Sequence, residues 1–455
     1  MADILLAHSN HIYADKKQAA KMQPYPPLQT LMAASTLESA GFDVALYDPT
    51  FDASSERFRE VLTRHRPRRL VVCEDDFNFI TKMCLVQNRE LAFSMAAVAM
   101  EQGIPAYVHG SDSTDHASEY LGAGFQGVLI GEVEDTLVEL ARGDATEQIA
   151  GLAYRCARGT RSNSPRTLRP HLDEFSPPAW RHVDVEQYRT AWISAHGYFS
   201  VNLVTSRGCP YRCNWCAKPV FGSHYRVHSP HRAAADLRYM KESFAPQQVW
   251  FADDIFALSP RWTRQFADAV DRLDAHIPFK MQSRSDLMTR DTVEALQQAG
   301  CSEVWMGAES GSQRILDAMD KDIRVEEIYS ARENLRAHGI RACFFLQFGY
   351  LGETWEDIER TVRLVRATAP DDVGISVSYP MPGTKFYQIV SSQIERKSNW
   401  RDSADLAMMF RGEFPTEFYR ALATALHAEV RKTGDAGAAW TVVEQLRASQ
   451  QVAVA

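Results

Sequence analysis

Two runs of alternating apolar and helix-patterned segments dominate this chain, and they leave few folds open. In the first run, strand-like stretches at 3–7, 44–47, 70–73, 106–109 and 127–130 alternate with helical patterning at 28–40, 58–64, 90–102, 117–121 and 134–142. Gly41, just past the first of these helices, suits a carboxyl-terminal cap. In the second run, strand-like stretches at 201–205, 248–252, 278–282, 303–307, 342–348 and 373–378 are again separated by helical segments. Such alternation predicts parallel sheets, because a parallel crossover needs the length that a helix provides. The first run predicts a doubly wound open sheet, and the six units of the second predict a partial parallel barrel. In both architectures ligands gather at the carboxyl ends of the strands.

The fold class expected is therefore α/β: a Rossmann-like unit over 1–143, a partial (β/α)6 TIM barrel over 200–390, and a helical extension over 391–455. Residues 144–199 read as a linker, with poor periodicity, many charges, and Pro165, Pro170, Pro177 and Pro178. Within the extension, 418–430 and 440–446 have amphipathic patterning. The apolar side chains from Trp400 to Phe410 are candidates to cap the open barrel or to touch a substrate, with Met408, Met409 and Phe410 expected as core.

Composition narrows the function classes. The 455 residues are 45% hydrophobic and 24% charged, as in ordinary globular proteins, and the net charge of −8 speaks against a nucleic-acid partner. No apolar run is long enough for a membrane span, and the first residues lack a signal peptide's charged and apolar regions. The 8 cysteines are too dispersed for a secreted disulfide framework, so a reducing, cytoplasmic setting is expected. Cys73, Cys84, Cys156, Cys301 and Cys343 stand alone in mostly apolar surroundings and read as buried thiols.

The other three fall together. Cys209, Cys213 and Cys216 form C-x3-C-x2-C directly after the first strand of the second run. Three thiolates occupy three irons of a [4Fe–4S] cube and leave the fourth iron open. A zinc site completed by His224 or His228 is the competing reading, yet zinc ligands usually come as two pairs and no second cysteine pair is near. A disulfide would leave one cysteine over.

The cysteine spacing, with Trp215 before the last cysteine, resembles the signature of the radical S-adenosylmethionine (SAM) enzymes. The resemblance implies the six-unit barrel and strand-end SAM contacts. Asp253 and Asp254 end the second barrel strand, where a carboxylate can accept the methionyl ammonium or cap the next helix. Ser283 and Arg284 end the third, where an arginine can pair the methionyl carboxylate. Glu309 and Ser310 end the fourth, as ribose or ammonium contacts or as a helix cap, and Gly352 lies in an adenine-contact-like loop after the fifth.

The first run resembles the cobalamin-binding domain fused to many radical SAM enzymes. Pro26, Pro27 and Leu28, the loop from Gly110 and the stretch 124–137 carry that likeness. It makes Pro27, Leu28, Gly110, Ser111, Asp112, Asp115, His116, Gly131 and Glu132 candidate cobalamin contacts. The D-x-H-x-x-G motif that places a histidine under cobalt in some cobalamin proteins is absent. Residues 172–179 resemble the segment that joins the two domains in this fused family.

The resemblance implies a radical SAM enzyme that methylates an unactivated carbon of a small-molecule substrate. It would use a [4Fe–4S] cluster, SAM and cobalamin, with an electron donor such as flavodoxin or ferredoxin. Two alternatives differ in outcome: a cyclase of the anaerobic porphyrin-ester type, without methyl transfer, and an iron–sulfur sensor without turnover.

Overall fold

The structure, a computed structural model, describes residues 2–52, 56–218, 220–394 and 397–454. The first run folds into one sheet from β1 (Ile4–Ala7), β2 (Val44–Tyr47), β3 (Arg69–Cys73), β4 (Ala106–His109) and β5 (Gly127–Leu129), joined by β6 (Leu152–Cys156) and β7 (Gly159–Ser162). The order is β2-β1-β3-β4-β5-β6-β7. β1 to β5 pair in parallel, as alternation requires, whereas β6 and β7 are antiparallel. The segment expected as an aperiodic linker thus completes the first sheet, and it also forms a helix at Val185–His196. β7 escapes pattern reading because its four residues are all exposed and polar or glycine, so no apolar alternation marks it. A short helix, Ser111–Asp115, likewise occupies what reads as loop.

The second run gives β8 (Ser200–Leu203), a small ribbon of β9 (Ser206–Arg207) and β10 (Arg226–Val227), then β11 (Gln248–Phe251), β12 (Phe279–Ser283), β13 (Cys301–Glu309), β14 (Arg341–Phe348) and β15 (Asp372–Val377). The six longer strands pair in parallel in the order β8-β11-β12-β13-β14-β15. β8 and β15 remain edges, so the sheet curls into a half-barrel. Val249, Phe251, Phe266, Phe279 and Met281 fill the layer between strands and outer helices with no measurable exposure.

That core does not stop at the barrel. It continues through Phe77, Leu28 and Leu31 of the first unit and through Trp180 of the joining segment. The joining segment touches both units: the Ala179 amide donates to Leu31 O at 3.1 Å, and the Ser229 amide donates to Asp173 at 3.0 Å. A second bridge runs from the carboxyl-terminal region. Trp400 stacks on Tyr379 at 4.4 Å while its carbonyl accepts the Val86 amide at 2.9 Å, and the Ser403 amide donates to Asp15 at 2.8 Å. Trp400, Met409 and Phe410 are all buried, so they act as core. Helices Thr416–Arg431 and Ala436–Val454 follow. Among the described residues, no helix is long and apolar enough to cross a membrane.

Candidate active site between the two sheets

The β9–β10 ribbon closes the loop that carries Cys209, Cys213 and Cys216. Gly208 opens that loop at φ +78°, and a Cβ there would lie 2.5 Å from His224 O, so only glycine fits. Lys218 ties the loop to itself by donating to Cys209 O at 2.8 Å and to Tyr211 O. Asn214 fastens its far side: its amide nitrogens reach Met319 O at 3.0 Å and Ala318 O at 2.7 Å, and its side-chain oxygen accepts the Tyr350 hydroxyl at 3.0 Å. The three thiols are free and partly exposed. Burial, then Asp254, pushes Cys216 up to about 12, and burial also raises Cys209. These thiols need a strong positive centre to become ligands.

Among the described residues, no three His, Cys, Asp or Glu side chains converge on one ion position. A cubane takes one thiolate per iron, whereas zinc takes all its ligands on one ion. Of the two histidines of the zinc reading, His228 is engaged elsewhere: its Nδ1 lies 2.9 Å from Asp173, and burial pushes it down to about 4.

The strand-end residues expected to face SAM divide in two. Some spend their polar atoms inside the protein. Asp253, fully buried, accepts from the Thr205 amide at 3.0 Å and hydroxyl at 2.9 Å and from the Ser206 hydroxyl, and burial raises it to about 6. It locks the end of β11 to the start of the cysteine loop. Ser283 donates to Phe256 O at 2.8 Å, and Ser310 meets Thr361 at 3.1 Å. Gly352, at φ +78°, offers its carbonyl to Arg314 at 2.9 Å.

The others are charged or aromatic and lie against the loop, although the charged ones also have protein partners. Arg284 lies 3.6 Å over the ring of Tyr211, inside the motif, while donating to Lys321 O, Asp322 O and Asp286. Glu309 sits at φ +57° and pairs with buried Lys321 at 2.7 Å; a side chain at Gly307 would collide with both. Lys321 in turn lies 5.9 Å from the Trp215 ring, whose buried indole N–H has no partner among the described residues. Asp254 pairs with Lys82, which comes from the first unit. Nothing local in the sequence singles out Lys82 or Lys321, because each meets its partner only through the fold.

Across the interface, the carboxyl ends of β3, β4 and β5 face this loop. Glu132 accepts from Arg207 at 3.0 Å and from Arg226 at 2.5 Å, and Glu134 accepts from Arg207 at 2.6 Å. Arg207 immediately precedes Gly208 and is capped by the Phe175 ring at 4.4 Å. Its two carboxylates raise its pKa against the opposing effect of burial, and the same contact outweighs burial in Glu134 and holds it below the usual range. Sequence reading put Glu132 at a ligand and overlooked this clamp, although Arg207 stands next to the motif.

The remaining first-unit candidates lie around the buried carboxylates Glu74, Asp75 and Asp76 or on the loop and short helix that follow β4. Gly110 allows close approach, since a Cβ would lie 2.8 Å from the Glu74 side chain. Ser111 donates to Asp76 at 3.3 Å, and Asp76 lies 2.5 Å from His109. Asp112 grips Arg89 at 2.6 Å and sits beside His116; despite burial, these contacts hold it at about 2. Asp115 is pushed up to about 6 by burial. Pro27 precedes the helix Leu28–Ser39, whose Leu28 is core and whose Gln29 amide donates to Asp75 at 3.1 Å. Gly131, at φ +78°, leads into Glu132. Oxygens of Gln29, Glu74, Asp75, Asp115 and Glu134 are buried without a donor among the described residues. A ligand rich in N–H groups would satisfy them. Between the two sets lies a cavity of about 40 Å3, lined in part by Asp76, Lys82, Ser111, Lys218, Phe221 and Asp254.

Comparison with known proteins agrees with this layout. Residues 203–365 match the radical SAM superfamily. An uncharacterized methyltransferase of Pyrococcus horikoshii is 27% identical over 60% of this chain, and the match spans only 60% of that relative's length. The hopanoid C-3 methylase of Methylococcus capsulatus is 25% identical over 81% of this chain and 69% of its own. The anaerobic magnesium-protoporphyrin IX monomethyl ester cyclase of Rubrivivax gelatinosus is 22% identical over 86% of this chain and 70% of its own. Among solved structures, the radical SAM methyltransferase TsrM of Kitasatospora setae, with cobalamin and a [4Fe–4S] cluster bound, superposes with a TM-score of 0.70 at 19% identity, over 86% of this chain and 75% of its own.

Proposed function

We propose, from the premise that this chain belongs to the radical SAM superfamily, that it is a cobalamin-dependent enzyme that methylates an unactivated carbon of a small molecule. The observation that carries the proposal is the clamp of Arg207 between Glu132 and Glu134, which turns the cobalamin-type strand ends onto the cysteine loop. When bound, the [4Fe–4S] cluster and SAM supply the hydrogen-abstracting radical and cobalamin supplies the methyl group.

The chain's own part is to bind, orient and exclude water. Cys209, Cys213 and Cys216 hold the cluster, on a loop kept in shape by Gly208, Lys218 and Asn214. Asp254, Glu309 and Arg284 surround the loop with the charges that a methionyl ammonium and carboxylate need, and Trp215 offers an unspent N–H. The donor-poor oxygens of Gln29, Glu74, Asp75 and Asp115 suit the amide-rich edge of a corrin. The setting is cytoplasmic, with flavodoxin or ferredoxin as electron donor.

The test is anaerobic purification with iron and hydroxocobalamin, followed by metal quantitation and assay for 5′-deoxyadenosine. About four irons and one cobalt per chain, with SAM cleavage, are expected. Iron without cobalt would overturn the methyl-transfer reading. A second reading, cyclisation without methyl transfer, is favoured by the cyclase match over 86% of the chain. The product's mass separates the two, since methylation adds one carbon.

A further inference from the structure

The concave face of the half-barrel carries cations that the proposed chemistry leaves unused. Along β12, Phe279, Met281 and Ser283 are buried toward the helices, so Lys280 and Gln282 alternate onto the concave side. Lys280 stands in register with Trp250 on β11 and Glu303 on β13. Its ammonium lies 5.7 Å from the ring centres of Tyr25 and Trp192 and 6.0 Å from that of Trp250. Aromatic faces hold an ammonium in place without cancelling its charge.

Glu303, its neighbour across the register, is committed to Arg341 at 2.8 Å and to the Trp305 indole N–H at 2.8 Å. Among the described residues Lys280 forms no ion pair, and the Tyr25 phenol and, more weakly, Glu303 favour its charged form. Lys17, Lys21 and Arg431 are near enough to act on one another's charge, and Lys280 acts on Lys21, with Asp372 opposing. Arg431 has Asp372 at 2.8 Å and Lys17 has the Ser403 carbonyl at 3.0 Å, whereas Lys21 has no ion-pair partner among the described residues. Lys280 and Lys21 thus keep charge that no carboxylate among the described residues neutralises by a salt bridge, and an anion would pair with it.

Beside them is an apolar shelf. Trp305 and Phe345 pack at 5.0 Å between ring centres, and Phe345 remains 37% exposed. Gly374 makes room for that ring, since a Cβ there would lie 3.0 Å from it.

We infer that this face binds the substrate through an anionic group, a carboxylate or a phosphate, held by Lys280 and Lys21, with the body of the same molecule against Trp305 and Phe345. Calling the ligand the substrate rests on the reading above; the binding itself does not. The test therefore needs no cluster, SAM or cobalamin, and its failure is separable from a failure of iron or cobalt loading. Full-length protein is titrated with 1-naphthylacetate, 1-naphthyl phosphate and the neutral 2-(1-naphthyl)ethanol, read by fluorescence.

At least one anion is expected to bind on the order of tenfold more tightly than the alcohol, and the tighter of the two assigns the group. Lys280→Met and Lys21→Met are each expected to remove most of that advantage and to leave the alcohol's affinity unchanged. If the alcohol binds as well as both anions, or no anion binds, the inference falls. It falls equally if both variants, melting as wild type does, keep the anion's affinity. Should Lys280→Met fail to fold, Lys21→Met, at an exposed residue, decides alone.

Discussion

Replacing Arg207 by Met tests whether the clamp, and not the apolar contacts alone, holds the two units together. The side chain is 2% exposed and bonds Glu132 at 3.0 Å and Glu134 at 2.6 Å, beneath the Phe175 ring. Removing one partner from a buried ion pair leaves its carboxylates uncompensated and costs about 3–5 kcal/mol. Met retains much of the apolar volume, and Arg226 still neutralises Glu132 at 2.5 Å, so the lower end of that range applies. The sign with pH follows from Glu134, which Arg207 holds below its ordinary value. A carboxylate lowered in the folded state contributes stability above its unfolded value and loses it as pH falls through the folded one. In the variant, burial acts on Glu134 unopposed and favours its protonated form. The deficit should therefore be largest at neutral pH and shrink on acidification toward pH 4. Guanidinium unfolding of both proteins at pH 7 and pH 5 measures this, and Arg207→Met/Glu134→Gln should recover part of the loss at pH 7. A deficit under about 1 kcal/mol, or one that does not change with pH, would refute the reasoning.

Three further outcomes are expected. Cys213→Ala should keep the far-ultraviolet dichroism of the parent but lose the brown absorbance and all SAM cleavage; unchanged iron content would remove it from the ligand set. Gly208→Ala should leave the half-barrel folded and lower iron retention severalfold, since its Cβ falls 2.5 Å from His224 O at positive φ; iron analysis after reconstitution reads this directly. Glu353, buried and pushed up to about 8, costs the folded state increasingly as pH rises from its unfolded value toward 8. Glu353→Gln should accordingly be more stable than wild type by on the order of 2 kcal/mol at pH 8, with the gain vanishing near pH 5, as thermal melts at both values will show.

Much of this protein is readable from local pattern, for a physical reason. All six barrel strands lie within about two residues of their expected bounds, because each buries apolar residues on at least its helix-facing side between helical stretches. The first five strands of the other sheet do the same. The cysteine loop was equally legible as a unit, since its three thiols occur within eight residues directly after a barrel strand. What local pattern missed was β6, β7 and the helix Val185–His196 in the joining segment and the short helix Ser111–Asp115; β7 is a polar edge strand held by backbone pairing with β6.

Side-chain roles were harder, because a strand-end residue has several possible partners and only the fold chooses among them. Asp253 and Asp254 are adjacent in the chain, yet one is spent on Thr205 and Ser206 and the other meets Lys82 from the opposite unit. Glu132 stands at a strand end as expected, but the docking of the two units gives it Arg207 and Arg226. Sequence alone determined the two α/β units and the cysteine motif, because periodicity and spacing are short-range properties. Tertiary structure decided how the units face each other and which charges meet, as with Lys82 and Asp254, because desolvation and ion pairing depend on neighbours brought from far along the chain.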